Sequence, residues 1–495
     1  MQRRPSRVSR RAIVGSLLAA GMAIAGGVAA AQPATAAQPA AAGTWQAAKT
    51  VVLPPVINFG QGATVNSIAC PSPGNCTAVG HFTDSHQQRA AIAAFEVNHT
   101  WAAAVQPFGT VGIMFFSVPD LLSVSCSSTG NCTAVGVITY KGTETVGLVL
   151  NETKGGWHQA DYFYGDSKGT QVSAVSCAHK TGGTCVAGGS YVDSSGNTQG
   201  LLLTQQANGA WGSLPAVPGL AALNADGNAA VTSVSCPSSG NCAAGGYFTD
   251  SNGHQQAFVI TEKKGTWGKA GRVAGKLNTG GHAQVNALSC ASAGNCVAVG
   301  QYFRYVAPNV STQAFEVTEK NGSWSLAAEV PGTGSLNADG LAIATSVSCV
   351  PSGNPVNCAL GGRYQDKHGH AQAFVDLLKK GAWQKASAIA TKHNVGGYAQ
   401  VSTVSCPAAG DCGAGGYYLT APGSSQKYEA FVVTLKGFAW QSVQEVPGTQ
   451  VLNKGMIAHV NSVSCPSAGF CAAAGFYSDG HFGNTLPFTD DGAIT

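Results

Sequence analysis

The sequence predicts an all-β fold: an eight-bladed β-propeller of four-stranded blades, closed into a ring by its own N-terminal strand. Three regularities in the 495 residues carry this. There are sixteen cysteines in close pairs, eight evenly spaced tryptophans, and two chain ends that each hold part of one blade. Six pairs have five residues between them: Cys70 with Cys76, Cys126 with Cys132, Cys236 with Cys242, Cys290 with Cys296, Cys406 with Cys412 and Cys465 with Cys471. Cys177 with Cys185 and Cys349 with Cys358 are the same unit with longer loops. First cysteines recur every 51–59 residues. Trp45, Trp101, Trp157, Trp211, Trp267, Trp324, Trp383 and Trp440 recur every 54–59. A fixed period of this kind marks a repeat architecture, and its length suits one four-stranded blade. An irregular seven-bladed ring and a β-helix are the alternatives.

The fourth unit shows the elements in order. Val231–Cys236 is β-rich and ends at a turn over Pro237–Asn241, and Cys242–Phe248 is the return strand. A second turn at Asp250–Gly253 leads to a third strand, Gln256–Thr261, and Thr266–Trp267 opens a fourth. Short β runs with turn residues between them are the expected pattern. The innermost strands are mostly Ser, Thr, Ala and Val, which suits crowding near an axis. Bulk comes further out, in Phe95, Phe258, Phe315, Phe374 and Phe431 and then the tryptophans. Gly43–Val52 reads as a fourth strand without a blade, and Asn484–Thr489 as a third strand with no tryptophan after it. Joining the two completes the eighth blade and covers an open edge.

Residues 1–36 read as a secretory signal, 37–43 as a disordered mature N-terminus, and 44–495 as one propeller. Five arginines and no acid lie in the first eleven residues; an apolar, uncharged stretch follows from Ala12 to Ala31, with small-residue cleavage options after it. The string from Ser9 to Val14 resembles a twin-arginine export signal. Removing this segment takes five of the 27 Lys and Arg and leaves 22 against 23 acids. The remaining arginines are Arg89, Arg272, Arg304 and Arg363. Such a body lacks the basic stripe that nucleic acid requires, and no second apolar run reaches membrane-spanning length. The expected product is extracellular, not inserted in a membrane, and monomeric.

In an exported chain, cysteines paired at repeated spacing read as disulfides, here one across each innermost hairpin. Zinc prefers closer pairs with further ligands nearby, so neither a metal nor a cofactor is expected. A repeated asparagine stands twelve residues before six of the first cysteines: Asn58, Asn224, Asn278, Asn337, Asn394 and Asn453. One reading is a ring of amides for a ligand on the glycine-rich loop face; the other is turn chemistry, since Asn bonds its own backbone. Four residues before each first cysteine sit Asn66, Leu122, Ser173, Thr232, Asn286, Thr345, Ser402 and Asn461, expected to line a polar channel. Asp84, Asp193, Asp250, Asp366 and Asp479 open the second turns and lack the further carboxylates of a calcium loop.

The string Ser233–Tyr247, S-V-S-C-P-S-S-G-N-C-A-A-G-G-Y, with variants along the chain, resembles repeats of secreted actinobacterial proteins. That resemblance implies a propeller-like fold and no activity. The T-x-K-x-G-x-W stretches are similar to degenerate Asp-box turns of sialidase-like propellers, with Lys263 or Lys379 where the Asp would stand. The arginine cluster of a sialidase is missing, and no G-x-S-x-G motif marks a nucleophile. The expected function is therefore non-catalytic: a secreted binding or scaffold propeller that takes a glycan or an extracellular protein on its loop face. The alternative is a carbohydrate-active hydrolase or lyase. Its catalytic residues would lie in atypical blade loops, with Asp120, Asp161, Tyr162, Tyr164, Asp166, Arg304 and Tyr305 as candidates.

Overall fold

A computed structural model describes residues 44–493, apart from 54–58, 85–88, 108–116, 141–143, 167–168, 180–181, 213–215, 352–355, 424–425 and 482–483. The signal segment, residues 37–43 and Asn58 lie outside the described residues. Eight antiparallel sheets follow one another along the chain as the blades of a propeller. Their innermost strands are Phe59–Ser72, Ser117–Ser128, Thr170–Cys177, Ala229–Ser238, Ala283–Ser292, Ala342–Cys349, Ala399–Ala408 and Ala458–Ser467. In blade four the order continues outward through Asn241–Thr249 and Gln255–Lys263. The fourth ribbon is broken in two, Thr266–Trp267 and Gly271–Arg272, both paired with the third strand. Among the described residues blade three has three strands, and isolated bridges between Gln205 and Trp211 and between Leu201 and Ala216 follow the line of the fourth.

Blade eight joins the two ends of the fold. Its third strand, Thr485–Ala493, pairs with Thr44–Trp45 and Lys49–Thr50, with Thr44 opposite Ala493 and Thr50 opposite Phe488. The eight predicted disulfides are all formed. Cys70 is bonded to Cys76, Cys126 to Cys132, Cys177 to Cys185 and Cys236 to Cys242. In the second half of the ring Cys290 is bonded to Cys296, Cys349 to Cys358, Cys406 to Cys412 and Cys465 to Cys471. Their Cα–Cα distances are 3.9–4.2 Å. The register places Cys126 opposite Cys132, Cys177 opposite Cys185, Cys290 opposite Cys296 and Cys349 opposite Cys358 in their antiparallel pairs. The longer loops of blades three and six leave the distance unchanged, because the bridge sits at the foot of the turn and not in it.

Apolar packing lies between blades. Val297, Val299 and Ala314 of blade five, for example, meet Val347, Leu360 and Phe374 of blade six. Tryptophans dock onto the preceding blade. Trp324 Nε1 donates to Thr261 Oγ1 (2.9 Å) and Trp211 Nε1 to Asn151 Oδ1 (3.3 Å).

The S-V-S-C pattern has a hydrogen-bonding cause. An innermost strand has one ladder neighbour, so its axis-side N–H groups need other acceptors. The serine before each cysteine supplies one to the next blade: Cys236 N–H donates to Ser176 Oγ (2.9 Å), Cys290 to Ser235 (3.0 Å) and Cys70 to Ser464 (2.9 Å). Seven of the eight seams have this bond; at the other, Ala69 stands in the serine position. The earlier serine acts likewise, Leu288 N–H donating to Ser233 Oγ (2.9 Å).

The expected channel-lining residue is the bulged residue of the innermost strand, as the register skips at Thr232, Asn286 and Asn461 show. It also binds the next blade. Thr232 Oγ1 donates to Val285 O (2.6 Å), and Asn461 Nδ2 to Val65 O (2.8 Å) across the ring closure. Opposite each bulge the second strand has a glycine. A Cβ added at Gly246 would lie 1.9 Å from Ala230 O, and the same clash recurs at the matching glycine of all eight blades.

Candidate functional site at the loop-face mouth of the channel

The two mouths of the channel differ. The disulfide-bearing turns surround a bowl of about 770 Å³, lined by serines, cystines and prolines from all eight blades. The opposite mouth is built from one residue pair per blade: the residue after the obligatory glycine, and its partner six before the first cysteine. Directly opposed residues of antiparallel strands share a face. In blades three, four and five the pairs are Gln171 with Ser190, Ala230 with Tyr247 and Gln284 with Gln301. In blades six, seven and eight they are Ile343 with Arg363, Gln400 with Tyr417 and His459 with Phe476. Blades one and two have Thr64 with His81 and Asp120 with Val137. At these paired positions blades three, four and five carry no charge, whereas blades six, seven, eight, one and two carry Arg363, Tyr417, His459, Phe476, His81 and Asp120.

Across blades six to eight the aromatic groups form a continuous run. Arg363 donates from Nη1 to the Tyr398 hydroxyl, and its guanidinium lies 5.5 Å from that ring's centre. Tyr398 stacks on Tyr417 (6.0 Å between centres), and Tyr417 on His459 (3.8 Å, planes 8° apart). Tyr428 stands edge-on to both Tyr417 and His459, and Phe476 lies 5.0 Å beyond His459. Burial holds the His459 imidazole down at about 4, so it is neutral at physiological pH, and Nε2 has no hydrogen-bond partner among the described residues. Burial, then the neighbouring Tyr398, pushes the Tyr417 hydroxyl above its ordinary range.

A polar cluster continues the arc at blades one and two. Asp120 Oδ1 accepts from Asn66 Nδ2 (2.8 Å) and lies 2.9 Å from His81 Nδ1, while Arg89 approaches Oδ2 (3.5 Å). The sequence singles out Asp120 as a candidate and Arg363 as one of few arginines, but not their surroundings. The signal it offers is positional: the residue after the invariant glycine varies from blade to blade while its neighbours repeat. The other catalytic candidates lie elsewhere. Asp161 and Tyr162 are on the outer strand Asp161–Phe163 of blade two, and Tyr164 and Asp166 follow it. Arg304 and Tyr305 are on the long hairpin of blade five.

The repeated asparagines, apart from Asn58, are buried between the two families of loops on this face. Asn278 Nδ2 donates to Gln255 O (2.8 Å) and Gln256 Oε1 (3.1 Å). Gln256 Nε2 in turn donates to Asp250 Oδ2 (2.8 Å), and Asp250 Oδ1 accepts from two turn N–H groups. The same Asp–Gln–Asn relay runs through Asp193, Gln199 and Asn224, and through Asp366, Gln372 and Asn394. Asn337 binds Gln313 and Asn453 binds Glu429. These amides tie the link that enters each blade to the turn before its third strand, and so brace the rim.

No protein-family model matches the sequence, and no curated protein is similar to it. Among solved structures the chain is similar to Chaetomium thermophilum Sqt1 bound to the N-terminus of ribosomal protein L10. Identity is 11%, TM-score 0.46, and coverage 87% of this chain and 98% of that one. A PL25 ulvan lyase bound to a GlcA–sulfated rhamnose unit has 9% identity and TM-score 0.41, covering 79% and 94%. Drosophila Plexin A in complex with Semaphorin 1b has 8% identity and TM-score 0.38, covering 91% and 88%.

Proposed function

We propose that the protein is a secreted, non-catalytic propeller that binds a glycan at the loop-face mouth, on the arc from Arg363 to His81. The carrying observation is the half-buried run of Tyr398, Tyr417, Tyr428, His459 and Phe476 on one side only of a repetitive ring. Sugars have apolar C–H faces and polar rims; tyrosine offers a flat apolar face with a polar tip at small entropic cost. Arg363 adds a fixed donor for a hydroxyl or an acidic substituent. The eight disulfides suit an oxidising compartment. Among the described residues no helix is long and apolar enough to cross a membrane.

A glycan array followed by titration of the best hit tests the proposal. Tyr417→Ala is expected to weaken binding at least tenfold, while Tyr247→Ala, at the same position of blade four, leaves it within twofold. Equal affinity in the two variants, or no bound glycan, refutes the assignment. One observation favours a second reading. His81 beside Asp120 is an oriented imidazole–carboxylate pair, the arrangement of a general base. Cleavage of a bound glycan that is lost in His81→Gln would replace binding by catalysis.

A further inference from the structure

The closure of the ring contains a second cluster, distant in sequence and of different chemistry. In each third strand, the residue opposite the fourth-strand tryptophan faces the preceding blade. In blades one, two, four and five it is Glu96, Glu152, Glu262 and Glu319, all buried. Such a carboxylate needs donors. Glu319 has one, for Thr261 of blade four donates from Oγ1 to Glu319 Oε1 (2.8 Å).

At the seam between blades eight and one the residue matching Thr261 is Asp491. A hydroxyl donor is thus replaced by a second carboxylate. Glu96 is 2% exposed and Asp491 3%, and apart from the Asp491 carboxyl itself neither oxygen of Glu96 has a hydrogen-bond partner among the described residues. His99 completes the group from the turn after Glu96, and one ligand atom from each of the three lies within 4.8 Å of the others. The His99 backbone is left-handed (φ 63°), its N–H donates to Gly74 O (2.9 Å), and its ring rests against Phe470. A Cβ at Gly74 would lie 2.7 Å from that ring, so the glycine makes room for it. Lys49 is the cation whose field reaches Glu96.

We propose that Glu96, His99 and Asp491 form a binding site for a divalent transition-metal cation of the zinc class, which clasps blade eight to blade one. A mixed oxygen and imidazole donor set suits Zn²⁺ or Mn²⁺. Calcium takes six to eight oxygens, more than these residues offer. Ligands about one zinc stand about 3.3 Å apart, within reach of a small swing of the exposed His99 ring. The metal gives the buried Glu96 oxygens a partner other than the Asp491 carboxyl and joins the two strands across the seam through a shared ion. Motif spacing does not reveal the site, because its ligands come from opposite ends of the chain.

The test is titration of chelator-treated full-length protein with Zn²⁺ alone, by calorimetry and thermal melting at pH 7.5. One equivalent is expected to bind, raising the melting temperature by about 3 °C at a hundredfold excess over Kd. Ca²⁺ is expected to do neither. Glu96→Gln, Asp491→Asn and His99→Gly should each weaken that binding at least tenfold. The last is an exposed turn position where glycine suits the backbone, so its folding is not at risk. Glu152→Gln, in blade two, should bind as the parent does. Absence of a one-equivalent site in the parent protein, or undiminished binding in His99→Gly, overturns the proposal. A shared proton between Glu96 and Asp491 would then account for the pair. Neither result depends on the glycan site.

Discussion

Replacing Gly246 by alanine tests the geometry on which every blade depends. The added Cβ would stand 1.9 Å from Ala230 O, 2.9 Å from Ala230 C and 3.0 Å from Val231 Cα. An ordinary C···O contact is about 3.3 Å, so the methyl is about 1.4 Å too close to a carbonyl held beside the bulge. All three obstacles are backbone, and no side chain can rotate away. Overpacking of this kind costs about 3 kcal/mol or more. Unfolding entropy of about 2.1 cal/mol/K per residue, over about 450 residues, makes one degree worth roughly 1 kcal/mol. The melting temperature should fall by about 3 °C. Gly271→Ala is the control: that glycine has nothing within 4 Å of the built Cβ and no left-handed backbone. It should be neutral or stabilising by up to about 1 kcal/mol. Scanning calorimetry on both variants decides the matter, and equal melting temperatures would refute the account of the bulge.

Ser235→Ala deprives Cys290 N–H of its acceptor, so it should cost about 1–3 kcal/mol and lower the melting temperature by a similar number of degrees. Thiol titration of the unreduced protein should find none free, and replacing Cys236 and Cys242 by serine should cost about 2 kcal/mol, read as a lower denaturation midpoint. Burial raises the carboxyls of Glu96 and Asp376 to about 8 and of Glu152 to about 7. Between the ordinary carboxylate range and those values the folded state holds more protons than the unfolded, so metal-free protein should lose stability as pH rises from 5 to 8. His459, held near 4, acts with the opposite sign below about 6.5, but is one group against three. Asp376→Asn should flatten the slope of melting temperature against pH; an unchanged slope would show that this carboxyl is not buried in its neutral form.

Features that repeat are legible in the sequence. The Cys pairs, the tryptophans and the split eighth blade follow from spacing, because each blade solves one packing problem in the same way. The hydroxyl bonds from Ser176 or Ser235 are not, since in sequence these serines read only as small residues near an axis. Their acceptor role emerges when adjacent blades are placed side by side. The asparagines are recognisable as a pattern, whereas the relay from Asp250 through Gln256 to Asn278 joins loops some 28 residues apart and needs the fold to be seen. The mouth cluster is hidden for the opposite reason. Tyr417, His459 and His81 occupy positions where the repeat varies, and a period-based reading discards variation. Glu96 and Asp491 are adjacent only because the ring closes.

Closure also fixes how the molecule responds to its ends. Thr44 and Ala493 are direct cross-strand partners, so the two termini of the fold leave side by side, on the face of the disulfide turns. A load applied between them would open blade eight like a zipper, one hydrogen bond at a time, instead of shearing the sheet as a whole. An attachment at either end would leave the aromatic mouth pointing away from whatever holds the protein. The ring is thus a poor mechanical link.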